Sequence, residues 1–174
     1  MKKVLVVVDM QKDFVDGALG TAEALAIVPG VVNKIEAFDG DIIATYDTHS
    51  ENYMQTQEGA NLPVPHCIKG TDGWKLNADV QAALDKKGYK SIEKPTFGST
   101  DLIDYLKANY DCDDVEVELV GLCTDICVVS NALLLKANFL DAKVSVDAAC
   151  CAGVTVDSHN AALLTMKMCQ VNVK

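Results

Sequence analysis

The sequence contains no arginine, and all 15 of its basic residues are lysine. That removes the planar, bidentate guanidinium, the usual clamp for a carboxylate or phosphate on a ligand. Against the lysines stand 25 acidic residues, giving a formal net charge of -10. A polyanionic partner such as nucleic acid is therefore not expected. Long apolar runs are missing as well. None approaches the ~20 residues that cross a bilayer, so no membrane segment is expected. The apolar stretch after Met1, Lys2 and Lys3 ends at Asp9 after five residues. This is too short for a signal-peptide core and reads as a first strand. Repeats and low-complexity segments are absent. The seven cysteines, an odd number, have neither the spacing of a disulfide framework nor that of a zinc knuckle. A reducing, cytoplasmic setting is the default expectation. Adjacent Cys150 and Cys151 read as small apolar fillers at a strand end.

What remains is an ordinary globular composition, 49% hydrophobic and 23% charged over 174 residues. It suits one domain spanning 1–174. Apolar runs rich in Val and Ile recur at Lys3–Val8, Asp41–Tyr46, Val115–Leu122 and Ala142–Val146, with weaker ones at Tyr89–Glu93 and Gln170–Val173. Such runs suit strands buried on both faces. Helical patterns lie between them at Val28–Phe38, Asn77–Lys86, Ser99–Asn109, Asp125–Phe139 and Thr155–Met168. Ser99 and Thr100 are candidate N-caps for the third of these. Alternating strands and helices imply right-handed βαβ crossovers, hence a three-layer α/β sandwich around a parallel sheet. The polar segment 47–75 breaks the rhythm and holds two of the three histidines. It reads as a functional loop folded over the edge of the sheet.

In open α/β sheets the ligand crevice lies beyond the carboxyl ends of the strands. The residues just past the expected strands are Asp9, Tyr46 and Asp47, Lys94, and Cys123 to Cys127. Singly, Asp9 could cap a helix, Lys94 could sit in a solvated turn, and Cys127 could be a buried filler. Their joint placement on one rim points to chemistry. A thiol in the first turn of a helix lies at the positive end of the backbone dipole, and a nearby ammonium lowers its pKa further. A carboxylate in reach can take the thiol proton. Backbone amides around Cys123 and Cys127 could receive the oxyanion of a tetrahedral intermediate. His159 is the rival base, but it falls inside the last helical pattern and is assigned a surface or packing role.

A second group lies in the long loop: Asp47, His49, Glu58 and His66. The Asp-x-His spacing at a strand end sends both side chains the same way. Two imidazoles and two carboxylates suit a divalent metal such as Zn, Fe or Mn. The competing reading is hydrogen bonding within the loop, with His66 packed on Pro63 and Pro65.

Taken together, Val-Val-Val-Asp9-Met-Gln-Lys-Asp-Phe14, Lys94 and Cys123-Thr-Asp-Ile-Cys127 resemble the isochorismatase-like cysteine hydrolases, the nicotinamidases among them in particular. The resemblance implies a Rossmann-like, six-stranded parallel sheet of order 3-2-1-4-5-6. It makes Asp9 the general base, Lys94 the triad lysine and Cys127 the nucleophile, and implies a cis peptide bond before Cys123. Phe14 and Leu122 become substrate contacts, and Cys123 and Cys127 the oxyanion hole. It also supports the metal reading, with zinc the first expectation, Glu58 standing where the family often has His, and the ion receiving a pyridine nitrogen. Many nicotinamidases carry a Trp three residues before the last His ligand, where this chain has Pro63, and Trp74 does not match that position. The implied activity is thioester-mediated hydrolysis of a small carboxamide, nicotinamide first, by a homo-oligomer. Isochorismatase chemistry is a poorer fit, because its dianionic substrate would have to bind to a chain without arginine. Carbamoyl or ureido amides are a further alternative. A non-catalytic redox sensor built on Cys123 and Cys127 is the reading from another class, and it leaves Asp9, Lys94 and the loop without a purpose.

Overall fold

Six strands form one all-parallel sheet in the computed structural model, which describes residues 1–112 and 114–174. They are β1 (Lys2–Val8), β2 (Asp41–Asp47), β3 (Lys90–Lys94), β4 (Val115–Leu122), β5 (Lys143–Ala152) and β6 (Asn172–Val173), in the order β3-β2-β1-β4-β5-β6. The two central strands show why the sheet must be covered on both sides. Val4, Val6 and Val8 of β1 project into one core, Leu5 and Val7 into the other, and all are fully buried. Alternation with period two turns one apolar run into two packed faces.

The helices that cover those faces are α1 (Lys12–Val15), α2 (Ala22–Ala26), α3 (Val28–Ala37), α4 (Gln57–Asn61), α5 (Ala78–Lys87), α6 (Thr100–Asn109), α7 (Val129–Asn138) and α8 (Val156–Met168). Leu102 and Leu106 of α6, Leu135 of α7 and Met166 of α8 pack on one face. Ala24 of α2, Val31 and Ile35 of α3, and Val80 and Leu84 of α5 pack on the other. Helix starts follow the capping chemistry: the Ser99 hydroxyl accepts from the Leu102 amide, the Asn77 side chain from Asp79 and Val80, and the Thr155 hydroxyl from Ser158.

Four local features depart from the sequence expectation. The helix expected over Asp125–Phe139 opens as a wide turn, Thr124–Val128, before α7 begins. The Cys123 carbonyl accepts from both Ile126 and Val128, so the turn closes on a longer loop than an α-helix allows. Strand β5 runs well past Val146, because a register shift between Leu119 and Gly121 lets pairing with β4 resume at Cys151 and Ala152. Polar Asp147 hides that continuation in the sequence. Two short helices, α1 and α2, fill the expected connection after Asp9. Lastly, segment 47–75 carries α4 and a 3₁₀ turn at Tyr53–Gln55.

Gly121 marks the exit of β4. Its φ is +114°, and a Cβ there would sit 2.2 Å from the Val8 carbonyl oxygen of the adjacent strand. Gly70 also has positive φ, +87°, but nothing lies within 4 Å of where its Cβ would be. Gly121→Ala is therefore expected to cost ~3 kcal/mol or more and Gly70→Ala only ~1 kcal/mol, measured as shifts in urea-unfolding free energy. Equal costs would show that the clash at the sheet centre is relieved by backbone movement.

Candidate active site

Sheet register brings the rim residues together. Val8 pairs with Thr45 on one side and Gly121 on the other, and Asp47 pairs with Lys94. Asp9, Asp47, Lys94 and the turn after β4 thus leave the sheet at the same end. The Lys94 ammonium lies 2.6 Å from Asp9 Oδ2, 3.3 Å from Cys127 Sγ and 3.5 Å from Asp47 Oδ1, and it donates to the Thr96 carbonyl at 3.0 Å. Thr45 donates its hydroxyl to Asp9 Oδ1 at 2.6 Å, and Asp9 adopts a positive φ of +47°. All three of Asp9, Lys94 and Cys127 are buried.

Burial sets the protonation states. Desolvation raises the Asp9 pKa, against the pull of Lys94, which makes the carboxylate a better proton acceptor. Burial works against the Lys94 ammonium, but Asp9, Cys127 and Asp47 outweigh it and hold the proton on firmly. The Cys127 thiol is pushed well above its ordinary value, first by burial and then by Asp9, with Lys94 opposing. The expectation of a depressed thiol pKa is therefore corrected. Cys127 sits late in the wide turn and deep in the site, and the Lys94 charge is already shared with two carboxylates. The resting sulfur keeps its proton.

Beside this trio, donor atoms of Asp47, His49, Glu58 and His66 all lie within 4.8 Å of one another. His49 Nε2 is 2.9 Å from Asp47 Oδ2 and 3.6 Å from Glu58 Oε1. His66 Nε2 is 3.4 Å and 3.7 Å from the same two oxygens. Ligands ~2.0–2.1 Å from a tetrahedral ion are ~3.3 Å apart, so the spacing fits a small divalent cation. The tautomer fits too. His66 Nδ1 donates to the Val64 carbonyl at 2.7 Å, leaving the Nε2 lone pair facing the cluster. His66 is not merely packed on its prolines; its ring touches Phe14, Tyr53 and His49. In the cation-free protein, burial would raise the Asp47 pKa, but His49, His66 and Lys94 outweigh it and hold the carboxyl low. Glu58 moves up on burial.

A cavity of about 230 Å³ opens onto both groups. Cys127, Cys123, Asp47, Glu58 and His66 form its inner wall, and Phe14, Leu19, Leu62, Phe97, Ile126 and Val154 supply apolar sides. Leu122, expected as a substrate contact, does not line it. Its side chain is fully buried in the core on the α3 and α5 face, because alternation along β4 turns it away. The peptide between Leu122 and Cys123 is cis. Trp74 stands outside the cavity, packed on Tyr46 and donating to the Thr48 hydroxyl. His159 accepts from or donates to the Thr124 hydroxyl at 2.7 Å and so supports the wide turn from behind.

Several working residues carry no sequence signal strong enough to single them out. Gln11 grips the Asp47 backbone on both sides, accepting from its amide at 2.7 Å and donating to its carbonyl at 2.9 Å. Asp13 accepts from the Cys67 amide at 2.8 Å, next to His66. Asn131 donates to the Cys127 carbonyl at 2.8 Å and accepts from the Ser99 amide at 2.9 Å, joining the turn that carries Cys127 to the loop that carries Phe97. Gln11 and Asp13 share the Asp9–Phe14 segment, and that clustering was the available clue.

Comparison with known proteins bears out the fold and the family. The sequence profile of the isochorismatase domain matches residues 3–173. The nicotinamidase/pyrazinamidase of Mycobacterium tuberculosis is 30% identical over 98% of this chain and 97% of its own length. A nicotinamidase/pyrazinamidase structure from Bacillus subtilis superposes with a TM-score of 0.86 at 26% identity, covering 99% of both chains. A zinc complex of the pyrazinamidase of Pyrococcus horikoshii gives 0.79 at 29% identity, over 100% of this chain and 99% of that one. On the extent of the profile match, supported by a relative aligned from end to end, this chain belongs to the isochorismatase family.

Proposed function

We infer that the chain is a cysteine-dependent amidohydrolase that converts nicotinamide to nicotinate and ammonia. One observation carries the reading: a buried ammonium, Lys94, stands 2.6 Å from a carboxylate and 3.3 Å from the thiol of Cys127, which lines a ring-sized cavity. A redox sensor has no use for that carboxylate and ammonium. A dianionic substrate is disfavoured by a lining that is largely apolar and contains no lysine.

In the proposed reaction Cys127 Sγ attacks the amide carbon while Asp9 takes the thiol proton. Asp9 is fully buried and held by Thr45 and Lys94, which aim it for proton transfer with the neighbouring thiol. The amides of Cys123 and Cys127 receive the oxyanion. Asp9 then passes the proton to the departing nitrogen, the C–N bond breaks, and ammonia leaves a thioester on Cys127. Water adds to the thioester with Asp9 as base, the C–S bond breaks, and the proton returns to sulfur as the acid is released. Lys94 stays protonated throughout and balances whichever of Asp9 and Cys127 bears the negative charge. Phe14 and the other apolar side chains exclude water from the ring and fix its plane.

Asp47, His49, Glu58 and His66 would hold a divalent ion, with zinc favoured by the archaeal relative and iron or manganese also suited to the donors. When bound, it supplies a Lewis-acidic point for the ring nitrogen of a pyridine carboxamide. The seven unpaired thiols support a reducing, cytoplasmic setting.

Cys127→Ala is expected to abolish ammonia release from nicotinamide, pyrazinamide and ureido compounds alike while leaving the far-UV circular dichroism unchanged. Substantial residual turnover by that variant would refute the covalent route. A preference for ureido compounds over the two ring amides in the unmodified protein would move the substrate assignment. Independently, metal analysis of the purified chain is expected to find about one divalent ion per chain, with His66→Ala lowering affinity ~10–100-fold or more. Undiminished metal binding in His66→Ala would place the ion elsewhere.

A further inference from the structure

Two residue pairs lie side by side across β2 and β3: Tyr46 with Glu93, and Asp47 with Lys94. Alternation with period two sends the second pair to the site described above and the first to the opposite face of the sheet. There Tyr46, Trp74, Gln81, Tyr89 and Glu93 help to line a second cavity of about 210 Å³, which shares no residue with the one at Cys127. Its walls are held in place by hydrogen bonds. The Tyr46 hydroxyl lies 3.0 Å from that of Tyr89 and donates to Gln81 Oε1 at 3.5 Å, while Gln81 Nε2 donates to the Tyr89 oxygen at 3.0 Å. The rings of Tyr46 and Trp74 stand 5.4 Å apart, tilted by 40°. Trp74 is fixed at both ends, its indole N–H donating to the Thr48 hydroxyl at 2.9 Å and its carbonyl accepting from Gln11 at 2.8 Å.

We propose that this aromatic cavity is a second ligand site, for a small organic cation of the pyridinium type that stacks on Trp74 and takes Glu93 as its counter-ion. The sign of the charge follows from the surroundings. Burial comes first in holding the proton on the Tyr46 hydroxyl, and Tyr89, Asp85 and Glu93 add to it. Asp85 also accepts from Gln81 Nε2 at 2.7 Å. Lys75 borders the cavity too, but its ammonium is 3.2 Å from Asp72. The chain already lays one cation of its own over this wall. Lys69 Nζ is 2.6 Å from Glu93 Oε2 and 6.0 Å from the centre of a Trp74 ring. Both members of that ion pair are well exposed, 59% and 43%, so it is weakly held and open to exchange. The kind of cation follows from hydration. A primary ammonium is strongly hydrated and gains little by leaving water, whereas a pyridinium has no N–H to strip and spreads its charge over a face that matches the indole. A volume near 210 Å³ suits one ring and not a drug-sized molecule.

Trp74 is the only tryptophan of the chain, so its fluorescence reports directly on this cavity. Titration of the full chain with N-methylpyridinium, which has no amide to hydrolyse, is expected to quench that fluorescence saturably, with Kd of about a millimolar. Benzoate, an anion of similar size, should give no saturable change. Lys69→Ala vacates Glu93 and should tighten binding of N-methylpyridinium about threefold or more. Glu93→Gln removes the counter-ion and should weaken it about fivefold or more. Both positions are on the surface, so the thermal midpoint should stay where it is in each variant. Opposite effects from the two halves of one ion pair would not arise from loss of the pair alone. Quenching that rises without saturating, equal binding of benzoate, or a Kd indifferent to either variant would each overturn the proposal.

Discussion

The structure is organised around a single buried cation. Lys94 is almost completely removed from solvent, and an unpaired ammonium in that position would be strongly unfavourable. It is tolerable because three strands deliver partners to it at once: Asp9 from β1, Asp47 from β2 and the turn after β4 that carries Cys127. Each partner's backbone is fixed by the register of the parallel sheet. The electrostatics of the site are thus a consequence of strand order, since only neighbours in the sequence β3-β2-β1-β4 reach the same point. The same ammonium explains why the thiol and the carboxylate can coexist without water: one positive charge neutralises whichever of them is ionised.

Asp47 makes the two halves of the site dependent on each other. One of its oxygens faces Lys94 and the other faces His49 and His66. Its backbone is in turn gripped by Gln11, a fully buried side chain that also donates to the Trp74 carbonyl. Asp13, two residues further on, holds the Cys67 amide beside His66. The short run from Asp9 to Phe14 thereby supplies the proposed proton acceptor, positions one donor of the proposed ligand cluster, anchors the neighbour of another and closes one wall of the cavity. Ligands taken from a long loop would otherwise be loosely held.

The sequence made the architecture legible where local pattern and tertiary burial agree. Val and Ile runs in β1, β2 and β4 reflect strands buried on both faces, and the residues just past them converge as strand polarity demands. Where a long-range contact decides, the pattern falls silent. The length of β5 depends on a register shift in its partner, and the wide turn before α7 depends on one carbonyl accepting two amides. Gln11 reaches the site only by meeting a backbone 36 residues away, and nothing about a lone glutamine announces that. Leu122 illustrates the converse: adjacent in sequence to the cavity residue Cys123, it is turned into the core by period-two alternation.

The absence of arginine acquires its meaning at the cavity. A rim arginine would offer a bidentate seat for an anion, and with it a ready site for a carboxylate product. Here, apart from the ion that Asp47, His49, Glu58 and His66 would hold for the ring nitrogen, the one cation close to the chemistry is a lysine committed to Asp9 and Asp47, and the rest of the wall is largely apolar. Such a wall accepts a neutral, flat amide and gives little hold to the acid formed from it. In the proposed reaction the change of charge on hydrolysis therefore works with release: the ring enters uncharged, and its carboxylate leaves a pocket that has no free positive side chain to keep it.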